Sequence, residues 1–185
     1  MNCSEIEYKE VELTQVMVIT QMYCLTSYHH ENHFPILIHK LKYSNRKDIA
    51  KYLGRILGER VFETWATYSW DVIIPIPLHY LKKWHRGYNQ SELIACGMSE
   101  VLKVPMVADA VERIRYTKTQ TSLNKEKRRG NMEQAFRITK PSLLHYRRIL
   151  IVDDVCTTGA TMLALIKELS KLKGIEIGIV TISST

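Results

Sequence analysis

The chain has no paired cysteines, no long apolar run and no Gly-Lys-Ser/Thr phosphate loop, and each absence removes a class of protein. Its four cysteines, Cys3, Cys24, Cys96 and Cys156, stand singly along 185 residues, so their spacing offers neither a disulfide framework nor a Cys-x-x-Cys zinc motif. Histidines do not supply a metal site either: His29, His30 and His33 lie in a polar stretch, and His79 and His85 lie among lysines. No zinc is expected. No stretch approaches the roughly 18 to 20 consecutive apolar residues of a membrane helix, and residues 1–10 are acidic and polar where a secretory leader would be basic and then apolar. A cytoplasmic protein without a membrane span is the expectation. Internal repeats, low-complexity tracts and linkers are also missing, so a chain of this length, 45% hydrophobic, is expected to form one domain over residues 1–185.

The charge, by contrast, is plentiful and uneven. The formal net charge is +7, and residues 113–129 hold seven cations (Arg113, Arg115, Lys118, Lys125, Lys127, Arg128 and Arg129) against Glu126. Such a run is a solvated face, a nucleic-acid patch or a lid over a polyanionic substrate, and charge alone does not choose among them. An aromatic platform for single-stranded nucleic acid is thin there, since Tyr116 is the one aromatic residue of that stretch.

Apolar periodicity divides the chain in two. Residues 11–26 read as strand, Pro35 suits the first turn of a short helix through Tyr43, and Ile49, Leu53, Ile56, Leu57 and Val61 recur at helical spacing. Residues 1–65 are therefore expected to be a small strand-helix hood or extension. From residue 66 onward short apolar runs alternate with amphipathic stretches, the pattern of βα units in a mainly parallel sheet. Strands are expected at 72–76, near 104–107, at 111–115 and at 135–138. A helix is expected at 89–102 with Asn89 as its cap, a polar loop at 116–124 and a basic helix at 125–132. The run Ile149-Leu150-Ile151-Val152 reads as a strand buried on both faces, followed by a helix marked by Met162, Leu165, Ile166, Leu169 and Leu172 and ended by Gly174. Residues 175–182 read as the last strand.

Ligands of open α/β sheets bind at the carboxyl ends of strands, which directs attention to Asp153-Asp154-Val155-Cys156-Thr157-Thr158-Gly159-Ala160-Thr161. Two adjacent carboxylates leaving an apolar strand repel one another if buried, so exposure at the sheet edge is expected. The hydroxyls and glycine that follow open a helix, where successive backbone N–H groups and the positive helix end hold a phosphate. The bland account is a threonine cap on an ordinary helix. The whole string after a four-residue apolar strand is far more specific than that.

Residues 149–161 resemble the 5-phosphoribosyl-1-pyrophosphate (PRPP) signature of type I phosphoribosyltransferases. Further segments are similar in order and spacing to the ComF family of competence-associated, phosphoribosyltransferase-like proteins. They are Leu41-Lys42-Tyr43, Pro75-Ile76-Pro77-Leu78, Arg86-Gly87-Tyr88-Asn89-Gln90, and the series Arg113, Thr117, Gln120, Leu123, Arg128, Asn131, Ala135, Phe136. The resemblance spans roughly residues 34–185. It implies a type I phosphoribosyltransferase-like α/β fold in which Asp153 and Asp154 hold the ribose diol, Val155 opens the PRPP-binding loop, Cys156 to Thr161 cradle the 5-phosphate, and Pro75, Ile76 and Pro77 form the pyrophosphate loop. Independently of the resemblance, prolines fix backbone shape where a chain turns around a ligand, which makes Pro75 or Pro77 a candidate for following a cis bond. Mg²⁺ would be held mainly through PRPP, near Asp153 and Asp154. Two departures matter. Many ComF-like proteins begin with a cysteine-rich zinc ribbon, whereas the region ahead of the resemblance holds here only Cys3 and Cys24. Some phosphoribosyltransferases also carry an acid where Thr157 stands.

These readings combine into a Mg²⁺-dependent glycosyltransferase that passes 5-phosphoribosyl to an acceptor the sequence does not identify, releasing pyrophosphate. Arg115, Lys118 and Arg86 are the candidate catalytic cations, placed to stabilise charge on the leaving group. Arg113 and Arg128 serve equally well as structural residues framing the 113–124 flap. Tyr43 and Tyr88 fit either core or substrate contact, and Leu123 and Phe136 fit the core. The rivals are a non-catalytic competence protein binding single-stranded DNA, and a PRPP- or nucleotide-sensing regulator. The partners expected are thus PRPP and its acceptor, with single-stranded DNA, the competence machinery and a second copy in a homodimer as further candidates.

Overall fold

The structure, a computed structural model, describes residues 19–27, 41, 46–115 and 135–184. In chain order its elements are β1 (Ile19–Ser27), α1 (Lys47–Thr64), β2 (Val72–Pro75), α2 (Tyr80–Arg86), α3 (Gln90–Leu102), β3 (Val111–Arg113), β4 (Phe136–Ile138), a single 3₁₀ turn (Pro141–Leu143), β5 (Arg148–Cys156), α4 (Ala160–Leu169) and β6 (Glu176–Ser184). Four strands form one parallel sheet in the order β1-β6-β5-β2, and β3 and β4 make a separate antiparallel ribbon.

The sheet is covered on both faces, which is why its strands are apolar without alternation. On one face Ile149, Ile151, Ile177 and Ile179 share a core with Leu165, Ile166 and Leu169 of α4 and with Phe136 of the ribbon. On the other, Leu150, Val152, Val180 and Ile182 pack with Leu53, Leu57 and Val61 of α1 and with Ile94 and Met98 of α3. The strand and helix of the N-terminal region therefore belong to the packed core: β1 is an edge strand on β6, and α1 lies on α3. The two helices approach backbone to backbone. A methyl group added at Gly97 would stand 2.2 Å from the Lys51 carbonyl oxygen, and one at Gly54 would stand 2.1 Å from that of Ile94.

Connectivity places a crevice. The chain leaves β2 toward α3 on one face and leaves β5 toward α4 on the other, although β2 and β5 are neighbours. Their carboxyl ends are thus open between two diverging connections, the position at which α/β sheets take ligands.

Several expectations change. β5 does not stop at the acid pair: it pairs with β6 from Arg148↔Glu176 through Cys156↔Ser184, because β6 continues alongside it with Thr181, Ser183 and Ser184. Residues 104–107 form no strand but one parallel bridge, Ile73↔Met106, in which Ile73 donates to Pro105 and Val107 donates to Ile73; Pro105 has no N–H with which to extend it. α4 ends at Leu169, and Gly174, at φ 63°, instead turns the chain into β6 with the Tyr146 ring against its open side. No cis peptide bond occurs among the described residues, Pro75 and Pro77 included. The helix expected through Tyr43 (apart from Leu41), the loop 116–124, the basic helix 125–132 and Lys118 lie outside the described residues. Among those described, no helix is long and apolar enough to cross a membrane.

Gly97→Ala tests the helix crossing. The methyl group meets main-chain atoms and has no flexible side chain to displace, so a loss of about 1–3 kcal/mol is expected, as for other overpacked cores. A urea unfolding curve of the variant against the parent measures it, with a lower midpoint and an unchanged slope.

Candidate functional site at the carboxyl end of the sheet

Asp153 and the residues from Val155 to Met162 line a polar cleft of about 250 Å³, counting its open side. Its floor is the turn from β5 into α4. Gly159 sits there in the left-handed region, φ 68°, a conformation that side chains disfavour, and a β-carbon at that position would meet nothing within 4 Å. α4 begins at once, with its first intrahelical bond from Leu163 N–H to the Gly159 carbonyl at 2.8 Å. No side chain of the Gly159 cap position closes the helix; the nearest help is Thr158 Oγ1, 3.5 Å from Ala160 N–H. The first-turn N–H groups of such a helix have no intrahelical acceptor and carry the positive end of its dipole. Exposed Thr157 and Thr158 add hydroxyls at the rim.

The two acids differ. Asp153 is half-buried and lines the cleft; its Oδ1 accepts from Ser91 Oγ at 2.9 Å and from Asp154 N–H at 2.9 Å. Asp154 is buried, does not line the cleft, and accepts from Val155 N–H through Oδ1 at 2.8 Å. Joint exposure at a sheet edge is therefore not what the structure shows. Adjacent carboxylates are tolerated because local backbone N–H groups bond each of them and because cationic groups stand close.

Arg113 is the nearest of these cations. Its guanidinium lies over the Phe136 ring at 5.5 Å, and burial lowers its pKa while the Asp153 carboxylate opposes that shift. His79, buried at the start of α2, accepts from Leu81 N–H through Nδ1 at 3.3 Å; burial, then the charges of Arg113 and Lys82, push its pKa down. Ser91, His79 and Arg113 are the site neighbours that sequence reasoning did not assign. Ser91 stands one residue beyond the Arg86–Gln90 motif. Arg113 was read only as a frame for the flap, and His79 was considered only as a metal ligand.

The other expected residues separate. Pro75, Ile76 and Pro77 are all buried, with Ile76 N–H donating to the Val152 carbonyl at 2.9 Å, so this segment borders the acid pair from the β2 side. Arg86 closes α2 and donates to Gln90 Oε1 at 2.9 Å, and Gly87, at φ 78°, is the left-handed residue that ends that helix. Arg115 is exposed at the last described position before residue 116. Tyr88 is buried, with its hydroxyl donating to the Leu41 carbonyl.

A family model for the phosphoribosyl transferase domain matches residues 88–184. Competence protein F of Haemophilus influenzae is 36% identical over 152 residues, 80% of this chain and 66% of that protein. DNA utilization protein YhgH of Escherichia coli K12 is 40% identical over 129 residues, 68% of this chain and 56% of that protein. The chain thus spans less than two thirds of either relative's own length. Among solved structures, the glutamine PRPP amidotransferase of B. subtilis is similar with a TM-score of 0.49 at 18% identity, covering 76% of this chain and 30% of that one.

The His79 environment has a pH consequence. Because its folded-state pKa lies below the ordinary imidazole value of about 6.5, the unfolded chain takes up the proton first. The contribution of His79 to stability is therefore complete above that value and is lost as pH falls through the folded-state pKa. His79→Asn keeps an acceptor for Leu81 N–H and removes the titration. Urea midpoints at pH 7 and pH 5 are expected to fall further for the parent than for the variant; parallel falls would show that His79 carries none of the dependence.

Proposed function

Because the chain belongs to the phosphoribosyl transferase domain family and is a relative of competence protein F, we propose that the cleft at the end of β5 binds PRPP. The observation that carries this reading is the uncapped start of α4, with Gly159 in the left-handed region, opening beside Asp153. A phosphate suits such N–H groups, and a ribose diol suits a carboxylate held by Ser91 at hydrogen-bonding distance. In this reading residues 157–161 take the 5-phosphate, Asp153 meets the ribose hydroxyls, and buried Asp154 holds the turn behind it. Asp153, the acid that lines the cleft, suits Mg²⁺ as a single protein donor: no group of three or more His, Cys, Asp or Glu gathers among the described residues, so most ligands would be substrate oxygens and water. When bound with PRPP, the cation would neutralise charge on the pyrophosphate.

Transfer is the activity that this reading supports. The bond from the anomeric carbon to pyrophosphate breaks with its electron pair leaving on the pyrophosphate oxygen, while an acceptor lone pair forms the new bond and the acceptor's proton is released. Ribose is oxocarbenium-like between the two events. Arg115, Lys118 and Arg86 are the proposed stabilisers of the leaving oxygens, joined by Arg113 on the strength of its position beside Asp153. With Thr157 in the loop, no carboxylate is assigned to take the acceptor's proton, which makes a PRPP-sensing regulator without turnover the form this reading takes if transfer is absent.

A second reading, binding of single-stranded nucleic acid, is favoured by α2. This helix buries none of its residues: Trp84 is 77% exposed and Tyr80 69%, four residues apart and so on one side of the helix, among Lys82, Lys83, His85 and Arg86 with no acidic residue. Aromatic faces flanked by cations are what single strands stack on.

Calorimetry separates the readings. With Mg²⁺ present the parent is expected to bind PRPP, Asp153→Asn to weaken it at least tenfold, Asp154→Asn to weaken it less, and the double variant to abolish it. Neutralising Arg115 and Lys118 should lower turnover more than affinity, since their partner charge develops in the transition state. For the second reading, Trp84 fluorescence is the probe, because Trp65 and Trp70 are buried. Quenching by oligothymidylate that weakens steeply with salt and disappears in Trp84→Ala is the expected sign, and unchanged emission excludes α2 as a stacking surface.

A further inference from the structure

Four consecutive residues, Tyr88-Asn89-Gln90-Ser91, fasten three separate parts of the molecule to one another. The Tyr88 hydroxyl and Gln90 Nε2 both donate to the Leu41 carbonyl, the latter at 3.4 Å. Asn89 Nδ2 donates to the Ile76 carbonyl, just past β2, at 2.9 Å. Ser91 Oγ donates to Asp153 Oδ1 at 2.9 Å. All four side chains are buried, with relative exposures of 6%, 1%, 1% and 4% in chain order. Odd and even positions thus divide: Tyr88 and Gln90 hold the segment before α1, while Asn89 and Ser91 hold the sheet edge at the candidate site.

The odd-numbered pair, Asn89 and Ser91, works in series. Asn89 is the N-cap of α3, and its Oδ1 accepts Ser91 N–H at 3.2 Å while its Nδ2 is on Ile76. Ser91 is therefore fixed, main chain and all, relative to the end of β2. Its hydroxyl then joins the Asp154 N–H on the same oxygen of Asp153, so two donors from different elements meet Oδ1. Two such bonds fix the plane of a carboxylate, which one bond leaves free to turn, and bonds to a charged acceptor are the stronger kind. A buried serine needs a partner for its hydroxyl in any fold, but a backbone carbonyl would satisfy it as well. Here it is satisfied by the one acid that lines the cleft.

We infer that Ser91 is a positioning residue that orients the Asp153 carboxylate toward the ligand, with Asn89 setting where Ser91 stands. The inference rests on the reading of the cleft as a PRPP site. It predicts a division that general loosening of the fold does not: the ribose end of the ligand is affected and the phosphate loop is not.

The test compares the parent, Ser91→Ala and Ser91→Thr, with PRPP and Mg²⁺ followed by calorimetry and inorganic phosphate alone followed through the backbone amide resonances of residues 157–161. Ser91→Ala is expected to bind PRPP about ten- to a hundredfold more weakly, the change that follows losing one hydrogen bond to a charged group, while its phosphate titration matches the parent. Ser91→Thr, which keeps the hydroxyl, is expected to recover most of the lost affinity. If Ser91→Ala does not fold, Ser91→Cys supplies a weaker donor of similar size for the same comparison. Unchanged PRPP affinity without the hydroxyl overturns the inference, and so does an equal loss for PRPP and phosphate. A parent protein that titrates with phosphate yet ignores PRPP removes the underlying reading instead, and that result is visible before any variant is made.

Discussion

Strand β5 is paired on both sides along its apolar half, with Val72 to Pro75 of β2 and with the start of β6, and remains paired with β6 as far as Cys156. This extension of the ladder past the apolar residues governs the rest of the site. It brings two carboxylates into the end of a sheet, where they would otherwise lie on a freely moving loop, and so obliges the structure to supply donors for them. The donors come from the backbone at Asp154 and Val155 and from Ser91 across the crevice. Beyond Cys156 the ladder ends, three residues make the turn, and α4 starts with its first N–H groups aimed past Gly159. In the proposed reading, a site for anion and diol together follows from one strand running a few residues longer than its hydrophobicity requires.

The crevice also depends on how closely the layers approach. Gly54 and Gly97 let α1 and α3 touch through their backbones, which sets where α3 lies beside α1. Its first turn is thereby carried to the level of β2's end and of Asp153. A bulkier crossing would lift Asn89 and Ser91 away from the groups they bond. Packing far from the cleft thus sets the geometry at the cleft, because both ends of α3 belong to one rigid helix.

Much of this was legible in the sequence, and the reasons are specific. The run from Ile149 to Val152 announced a strand covered on both faces, and the hydroxyl-rich, glycine-containing string after it announced a helix start suited to phosphate. Asn89 announced its cap. The strand's true end was not legible, because pairing partners rather than hydrophobicity decide it: Asp153 and Asp154 read as breakers, yet Asp153 pairs with Thr181 and the ladder resumes at Val155↔Ser183. The difference between the two acids was equally hidden, since adjacent identical residues carry no mark of which will face the cleft. Ser91 gave no signal because a serine near a helix start is unremarkable until the residue opposite is known. Arg113 and His79 were visible as residue types, but their roles come from Phe136 and from burial, which only the fold supplies.

The placement of charge around Asp153 bears on what the cleft can do once filled. Burial lowers the pKa of Arg113 while the Asp153 carboxylate opposes that shift, and burial, then the charges of Arg113 and Lys82, lower that of His79. A polyanion entering the cleft would oppose both shifts, as the Asp153 carboxylate already does for Arg113. In the PRPP reading, Arg113 on β3 and His79 at the start of α2 thus add to the preference for anions proposed for the α4 turn. In that reading two features of different origin, the start of α4 and the half-buried Arg113 guanidinium that interacts with Asp153, both suit a ligand that carries negative charge beside its hydroxyls.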